Sequence, residues 1–410
     1  MTTRPSFVIV GASLAGAKAA QALREEGFDG RITLIGDEPH RPYERPPLSK
    51  DYLQGKSERE KVFVHPLGWY AEHDVDLQMG VAVAAIDRDD RQVTLANGRR
   101  VAYDKLLLTT GSSPRPLKLP GAELAGVHYL RRIEDCEQIK AAFDRGARVG
   151  IIGAGWIGLE AAAAARDAGL DVTVLEQAEL PLVRVLGRQI AQVFADLHRA
   201  HDVDLRLDQQ VAEITGANGA VTGIRLADGS ETPADVVLVG VGITPNTGLA
   251  VASGLAVDNG ITVDEHLQTA DPDVFAAGDV ANAYHRFLGR RIRVEHWANA
   301  LNQPATAAKS MLGQHASYDR LPYFYTDQYD LGMEYTGYAD PDDFDQVVVR
   351  GDAAAGEFIA FWLREGRVLA GMNVNVWDVT DPIQQLILSR QQLDPKRLAD
   401  LNQPLANLVG

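Results

Sequence analysis

The chain has 410 residues, 46% of them hydrophobic and 23% charged, with a formal net charge of −16. That length exceeds what one hydrophobic core comfortably serves, so two or three domains are expected. The negative field disfavours binding to nucleic acid or anionic membrane, and no apolar run reaches the roughly 20 residues of a spanning helix.

The first element, SFVIV, reads as a short strand running into a glycine turn, followed by an Ala-rich helix and a second strand, RITLIGDE. The stretch Met1 to Gly16 lacks the apolar region and cleavage site of a signal peptide, so the expected location is the cytoplasm. The turn carries Gly11, Ser13 and Gly16, with Ser13 standing where a dinucleotide fingerprint has its second glycine. Asp37-Glu38 lies about 20 residues further on, where a ribose-binding acid is expected. An alternating segment, VAVAAIDRDDRQVTLANGRRVAYDKLLLTTG, follows, with a hairpin signal at Asn97-Gly98. Cys136, in the helical pattern DCEQIKAAF, is the single cysteine, which excludes a disulfide framework and any Cys-x-x-Cys centre. It reads as a semi-buried structural thiol.

The βα unit then repeats as ARVGIIGAGWIGLEAAAAARDAG and LDVTVLEQ. Here the fingerprint is complete, with Gly153, Gly155 and Gly158, and Glu176 closes the next strand. A carboxylate at that point accepts from the adenosine ribose hydroxyls and repels a 2′-phosphate, which favours NADH over NADPH. A second alternating passage follows, with a turn at Asp228-Gly229. From about Leu321 aromatics cluster in LPYFYTDQYD, three strand-like segments follow, and the end from Pro382 looks helical. Strands alternating with helices predict an α/β fold with two Rossmann-type dinucleotide-binding domains and a small α/β C-terminal domain. The expected boundaries are 1–115 with 243–320 for the first nucleotide domain, 116–242 for the second and 321–410 for the last. Two dinucleotide sites in one chain suggest FAD in the first and NADH in the second, because flavin accepts the hydride that nicotinamide gives.

The segment Pro42-Tyr-Glu-Arg-Pro-Pro-Leu-Ser-Lys50 resembles the FAD-dependent NADH:ferredoxin reductases of bacterial oxygenase systems, within the glutathione-reductase superfamily. The likeness continues through LLLTTGSSPR, YLRRIED, GAGWIGLE, GVGITPN, VFAAGD, EHWANALNQ and YTDQYD, nearly the whole chain. It implies that Leu14, Ala15, Asp37, Arg45, Lys50, Val83, Arg131, Asp279 and Trp297 line FAD. For the pyridine nucleotide it implies Gly153, Gly155, Ile157, Gly158, Glu176, Arg184 and Gly242. Lys50 would stabilise the reduced, anionic flavin, with Glu160 holding it in place. Asp279 would accept from ribitol hydroxyls; its alternative is a helix N-cap.

The chain departs from the family pattern at Ser13, and at Tyr323 and Tyr325, where relatives often have tryptophans. The implied partner is a small iron–sulfur ferredoxin feeding a P450 or Rieske oxygenase. The Arg-rich stretch Arg286, Arg290, Arg291 and Arg293 is the candidate docking patch, or equally a solvated hairpin. Dithiol reductases, and the single-cysteine peroxidases and oxidases, are excluded because RPPLSKDYL carries no thiol. A monodehydroascorbate-reductase-like enzyme and a flavoprotein resembling apoptosis-inducing factor remain as alternatives.

Overall fold

Short runs of Val, Ile and Leu, apolar on both faces, are satisfied only in parallel sheets covered by helices. A computed structural model describing residues 4–408 has that arrangement twice. In chain order the elements used below are β1 (Ser6–Val10), α1 (Leu14–Glu25), β2 (Arg31–Ile35), β3 (Val75–Gln78), β4 (Lys105–Leu108), α2 (Ile133–Asp144), β5 (Val149–Ile152), α3 (Trp156–Asp167) and β6 (Val172–Leu175). There follow α4 (Val183–Ala200), β7 (Asp204–Arg206), β8 (Val236–Val239), β9 (Val274–Ala276), α5 (Trp297–Met311), β10 (Tyr323–Gln328), β11 (Leu331–Gly337), β12 (Gln346–Asp352), β13 (Glu357–Arg364), β14 (Arg367–Val374) and α6 (Thr380–Ser389).

The chain divides into two units. The first gathers the chain up to Arg45, Glu58–Ser113 and Ile243–Arg320. Its parallel sheet has the order β9-β4-β1-β2-β3. Ala17, Ala19 and Ala20 of α1 are fully buried, and the helix packs against both this sheet and α5. The antiparallel strands Val83–Asp87, Gln92–Leu95 and Arg100–Ala102 follow β3. They turn at Asn97-Gly98 as expected, with Gly98 at φ +84°.

The second unit gathers Pro46–Ser57, Pro114–Gly242 and the chain from Leu321 onward. Its parallel sheet has the order β7-β6-β5-β8, with Val127–His128 at the edge beside β8. The strands Val211–Ala217 and Ala220–Leu226 meet at Asn218-Gly219, both at positive φ, a tight hairpin that the sequence reading passed over. The C-terminal part is an antiparallel sheet of order β10-β11-β14-β13-β12, with α6 packed against β11 and β14. Its core includes Phe358, Phe361, Trp362 and Met372, all fully buried.

Cys136, on α2, is wholly buried rather than semi-buried, because it lies on the same inward face as Ile133, Ile139 and Phe143. Burial pushes its thiol up to about 12. The thiolate is the reactive form, so the native protein should not react with Ellman's reagent at pH 8. One equivalent should react after unfolding in guanidinium; rapid labelling of the native protein would contradict this enclosure.

Candidate functional site

Each glycine-rich loop is built by close backbone contact. In the first unit Gly11 has φ +114°, and a Cβ there would stand 2.2 Å from the Thr109 carbonyl oxygen. The Thr109 hydroxyl donates to the Gly11 carbonyl at 2.8 Å. A Cβ on Gly16 would stand 2.1 Å from Gly11 O, so this residue sets how closely α1 approaches the loop. Ser13, at φ −114° and ψ −158°, precedes the helix without making a side-chain cap, and the first turn holds no acid. Leu14 and Ala15 are buried behind it. The N–H groups of that turn are therefore left for an anion.

Around the loop, Asp37 is exposed after β2 and Val83 is half-buried. Arg45 pairs with Glu38 at 2.9 Å, and Glu38 also accepts from the Tyr43 hydroxyl. Burial works against the Arg45 charge, but Tyr43, Glu38 and Asp279 outweigh it and hold the guanidinium above its ordinary pKa. Asp279 is followed by the strand Ala281–His285, not by a helix, so the N-cap alternative is excluded. Gly278, at φ +81°, has its N–H bound to Gln303 Oε1 at 2.8 Å, and a Cβ there would lie 3.2 Å from Ala15 Cβ. Trp297 starts α5 and donates from Nε1 to Glu44 at 2.8 Å. This unit thus supplies an uncapped helix terminus for a pyrophosphate, a fixed cation and an acid, a set that fits FAD.

In the second unit Gly153 has φ +99°, with Gly240 O 2.5 Å from its would-be Cβ. The Cβ of Gly158 would meet Gly153 O at 2.1 Å. Gly155 differs: the nearest atom to its would-be Cβ is 3.8 Å away, and its φ of −80° suits any residue. The protein does not need a glycine at this point for its own packing. Ser13 has the same extended backbone as Gly155, which is why a serine is accommodated there without strain. The first turn of α3 is likewise uncapped and free of acids.

Glu176 accepts from Ala154 N at 2.6 Å and from Ala178 N at 2.8 Å. Its carboxylate therefore ties the loop down. Ile157 is 45% exposed, unusual for an isoleucine beside a buried helix face, and Arg184 and Gly242 are also exposed. These features fit NADH.

A third centre lies within the second unit. Lys50 Nζ is 2.6 Å from Glu160 Oε1, a pairing the resemblance implies. Glu160 is only 4% exposed, on the inner face of α3. Two further donors, which the sequence reading missed, also meet it: the Ser49 hydroxyl at 2.5 Å and the Thr326 hydroxyl at 2.6 Å. The available signal was the polar Thr326 and Gln328 at inward positions of an aromatic strand. Lys50 also lies 5.3 Å from the centre of the Tyr325 ring. The Tyr323 hydroxyl donates to Glu334 at 2.7 Å; burial first, and that acceptor second, raise its pKa well above the ordinary phenol.

Arg131 belongs to the second unit, with its backbone N–H on Asp135 at 3.0 Å. The Arg-rich stretch forms the hairpin Ala281–His285 and Arg290–Arg293. Its charge is partly cancelled, since Arg293 pairs with Glu295 and Arg286 lies 3.8 Å from Asp319.

Two open dinucleotide loops joined to an antiparallel C-terminal sheet define a class of flavoprotein, and comparison with known proteins agrees. The chain belongs to the pyridine nucleotide-disulphide oxidoreductase family, which matches residues 5–304, and a Reductase C-terminal domain matches residues 323–409. Among curated relatives it is 41% identical to a probable ferredoxin reductase of Castellaniella defragrans, over 98% of both chains. It is 38% identical to a putidaredoxin reductase of Pseudomonas putida, over 100% of this chain and 98% of that one. A solved covalent putidaredoxin reductase–putidaredoxin complex matches with a TM-score of 0.96, 38% identity, and 100% and 99% coverage.

Two results are expected at the NADH loop. Gly158→Ala should lower the melting temperature, because its Cβ has no room against Gly153 O. Gly155→Ala should leave the melting temperature unchanged and raise the KM for NADH. Overpacking against a ligand of about 1–3 kcal/mol corresponds to about 5- to 150-fold. Equal effects of both variants on stability would contradict this division. Glu176→Ala should lower NADH efficiency about 10- to 150-fold, from one lost charged hydrogen bond of about 1.5–3 kcal/mol. It should also narrow the NADH/NADPH ratio in steady-state assays; an unchanged ratio removes Glu176 from the specificity.

Proposed function

We propose that this protein is an FAD-dependent NADH:ferredoxin oxidoreductase that supplies electrons to a P450 or Rieske oxygenase. The observation that carries the reading is the pairing of two open dinucleotide loops with a single, fully enclosed thiol. With no dithiol in the chain, no protein disulfide relays the electrons to their acceptor. Among the described residues no helix is long and apolar enough to cross a membrane. We place the protein in the cytoplasm, where NADH is available.

When bound, FAD supplies the conversion of a hydride from NADH into single electrons for an iron–sulfur partner. The protein's own groups bind and orient. The loop at Gly11–Gly16 and Arg45 hold one dinucleotide, with Asp279 for its polyol. The loop at Gly153–Gly158, Glu176 and Arg184 hold the other. Lys50 is held in place by Glu160 and stabilises negative charge at the redox centre. No side chain need act as a nucleophile, so positioning and electrostatics account for the catalysis. Relatives named as the ferredoxin–NAD(+) reductase components of anthranilate and biphenyl dioxygenase systems, 41% and 37% identical, favour this reading over a nucleotide sensor.

The purified protein should be yellow, release FAD on heating, and reduce a two-iron ferredoxin with NADH. Stopped-flow mixing with NADH should bleach the flavin rapidly; slow reduction to a long-lived complex would instead indicate a sensor. Lys50→Met should retain FAD but slow reduction and lower the flavin midpoint potential. An unchanged rate and potential would remove Lys50 from the mechanism.

A further inference from the structure

The Glu160 carboxylate is the end of a longer buried chain of polar side chains. Thr326 Oγ1 lies 2.6 Å from Glu160 Oε1, Gln328 Nε2 lies 3.1 Å from Thr326 Oγ1, and His198 Nε2 lies 2.8 Å from Gln328 Oε1. The Tyr329 hydroxyl completes it, 3.2 Å from His198 Nδ1. Thr326, Gln328 and His198 are each at most 1% exposed, so water does not compete for these bonds.

The chemistry of the groups sets one direction. A carboxylate oxygen that already accepts from Lys50 can only accept from Thr326, so the single threonine proton points at Glu160. Thr326 Oγ1 must then accept from Gln328, which fixes the amide with its NH2 toward the threonine and its oxygen toward His198. That oxygen requires His198 to carry its proton on Nε2. Burial lowers the His198 pKa to about 4, so at neutral pH the ring is uncharged and Nδ1 accepts from the Tyr329 hydroxyl. Every donor points toward Glu160. Hydrogen bonds aligned in this way polarise one another, and they do so most in a dry, low-dielectric interior.

We propose that Thr326, Gln328, His198 and Tyr329 are positioning residues, a one-way donor chain that orients the Glu160 carboxylate and thereby fixes the Lys50 ammonium. The inference rests on the role given above to Lys50. It assigns the C-terminal sheet, through β10, a part in setting the electrostatics of the redox centre rather than a purely architectural one. The chain spans three elements, with Glu160 on α3, His198 on α4 and Thr326 and Gln328 on β10, so no local segment could assemble it alone.

The test uses the holoenzyme and compares Thr326→Val, Thr326→Ser, Lys50→Met and the Lys50→Met/Thr326→Val double variant. Thr326→Val keeps the shape but deletes the proton aimed at Glu160 and leaves Gln328 Nε2 without its acceptor. It should slow flavin reduction by NADH on the order of tenfold, as expected for a lost charged hydrogen bond. It should also lower the flavin midpoint potential while leaving the Kd for NADH unchanged. Thr326→Ser should restore both rate and potential, and in the double variant the valine should slow Lys50→Met by less than about twofold.

If Lys50→Met is slow but Thr326→Val matches the wild type, the donor chain is overturned while the Lys50 reading stands. If Lys50→Met itself changes nothing, the Lys50 reading falls and the inference falls with it. Equal loss in the valine and serine variants would make Thr326 a packing residue and overturn the proposal. Should Thr326→Val fail to fold, nitrogen-15 NMR of the wild-type protein decides. His198 should be neutral with its proton on Nε2 at pH 7; the Nδ1–H tautomer or an imidazolium would overturn the chain.

Discussion

An ionised carboxylate taken out of water costs several kcal/mol unless a charge partner and hydrogen-bond donors replace the solvent. Glu160 meets that requirement completely: Lys50 and Thr326 share one oxygen and Ser49 takes the other. The donors come from stretches of chain far from α3 in sequence. Together with the Tyr52 bond to Glu137, they account for Pro46–Ser57 belonging to the same unit as the second nucleotide loop. The β10 strand is held to the same point. Removing Glu160 would leave an ammonium without its partner in a half-buried site, so this one residue organises three segments.

The two glycine loops answer a different constraint, the close approach of backbone to backbone. Gly11 and Gly153 both have positive φ, and Gly16 and Gly158 both leave 2.1 Å to a carbonyl oxygen where a Cβ would be. At these positions glycine serves the protein itself. Gly155 and Ser13 share an ordinary extended backbone, so the choice of residue there is left to the ligand. That separates the glycines whose loss would unfold the loop from the one whose loss would alter binding.

The C-terminal sheet adds polar anchors to an aromatic strand. Glu334 accepts from Tyr323, Asn373 and Thr380, tying β10, β11, β14 and α6 around one carboxylate. A tryptophan in place of Tyr323 could not make that phenol-to-carboxylate bond in the same way. The tyrosines therefore come with their own supporting residues.

Local patterns were sufficient for much of this molecule. The two Val/Ile strands, the glycine spacing and the Ala-rich helices each encode a βα unit within about 30 residues, because strand period, turn and helix face are short-range properties. The hairpin at Asn97-Gly98 and three of the five strands of the C-terminal sheet, β12, β13 and β14, were legible for the same reason. The pairing of Lys50 with Glu160 was reached only through resemblance to a known family, since the two lie 110 residues apart. Thr326 and Gln328 offered only their polarity within an aromatic strand, His198 offered nothing, and the burial of Cys136 was underestimated. Which polar groups share a dry interior, and in which direction they donate, depends on three elements packing together. Only the tertiary structure, by excluding water from around Glu160, decided that.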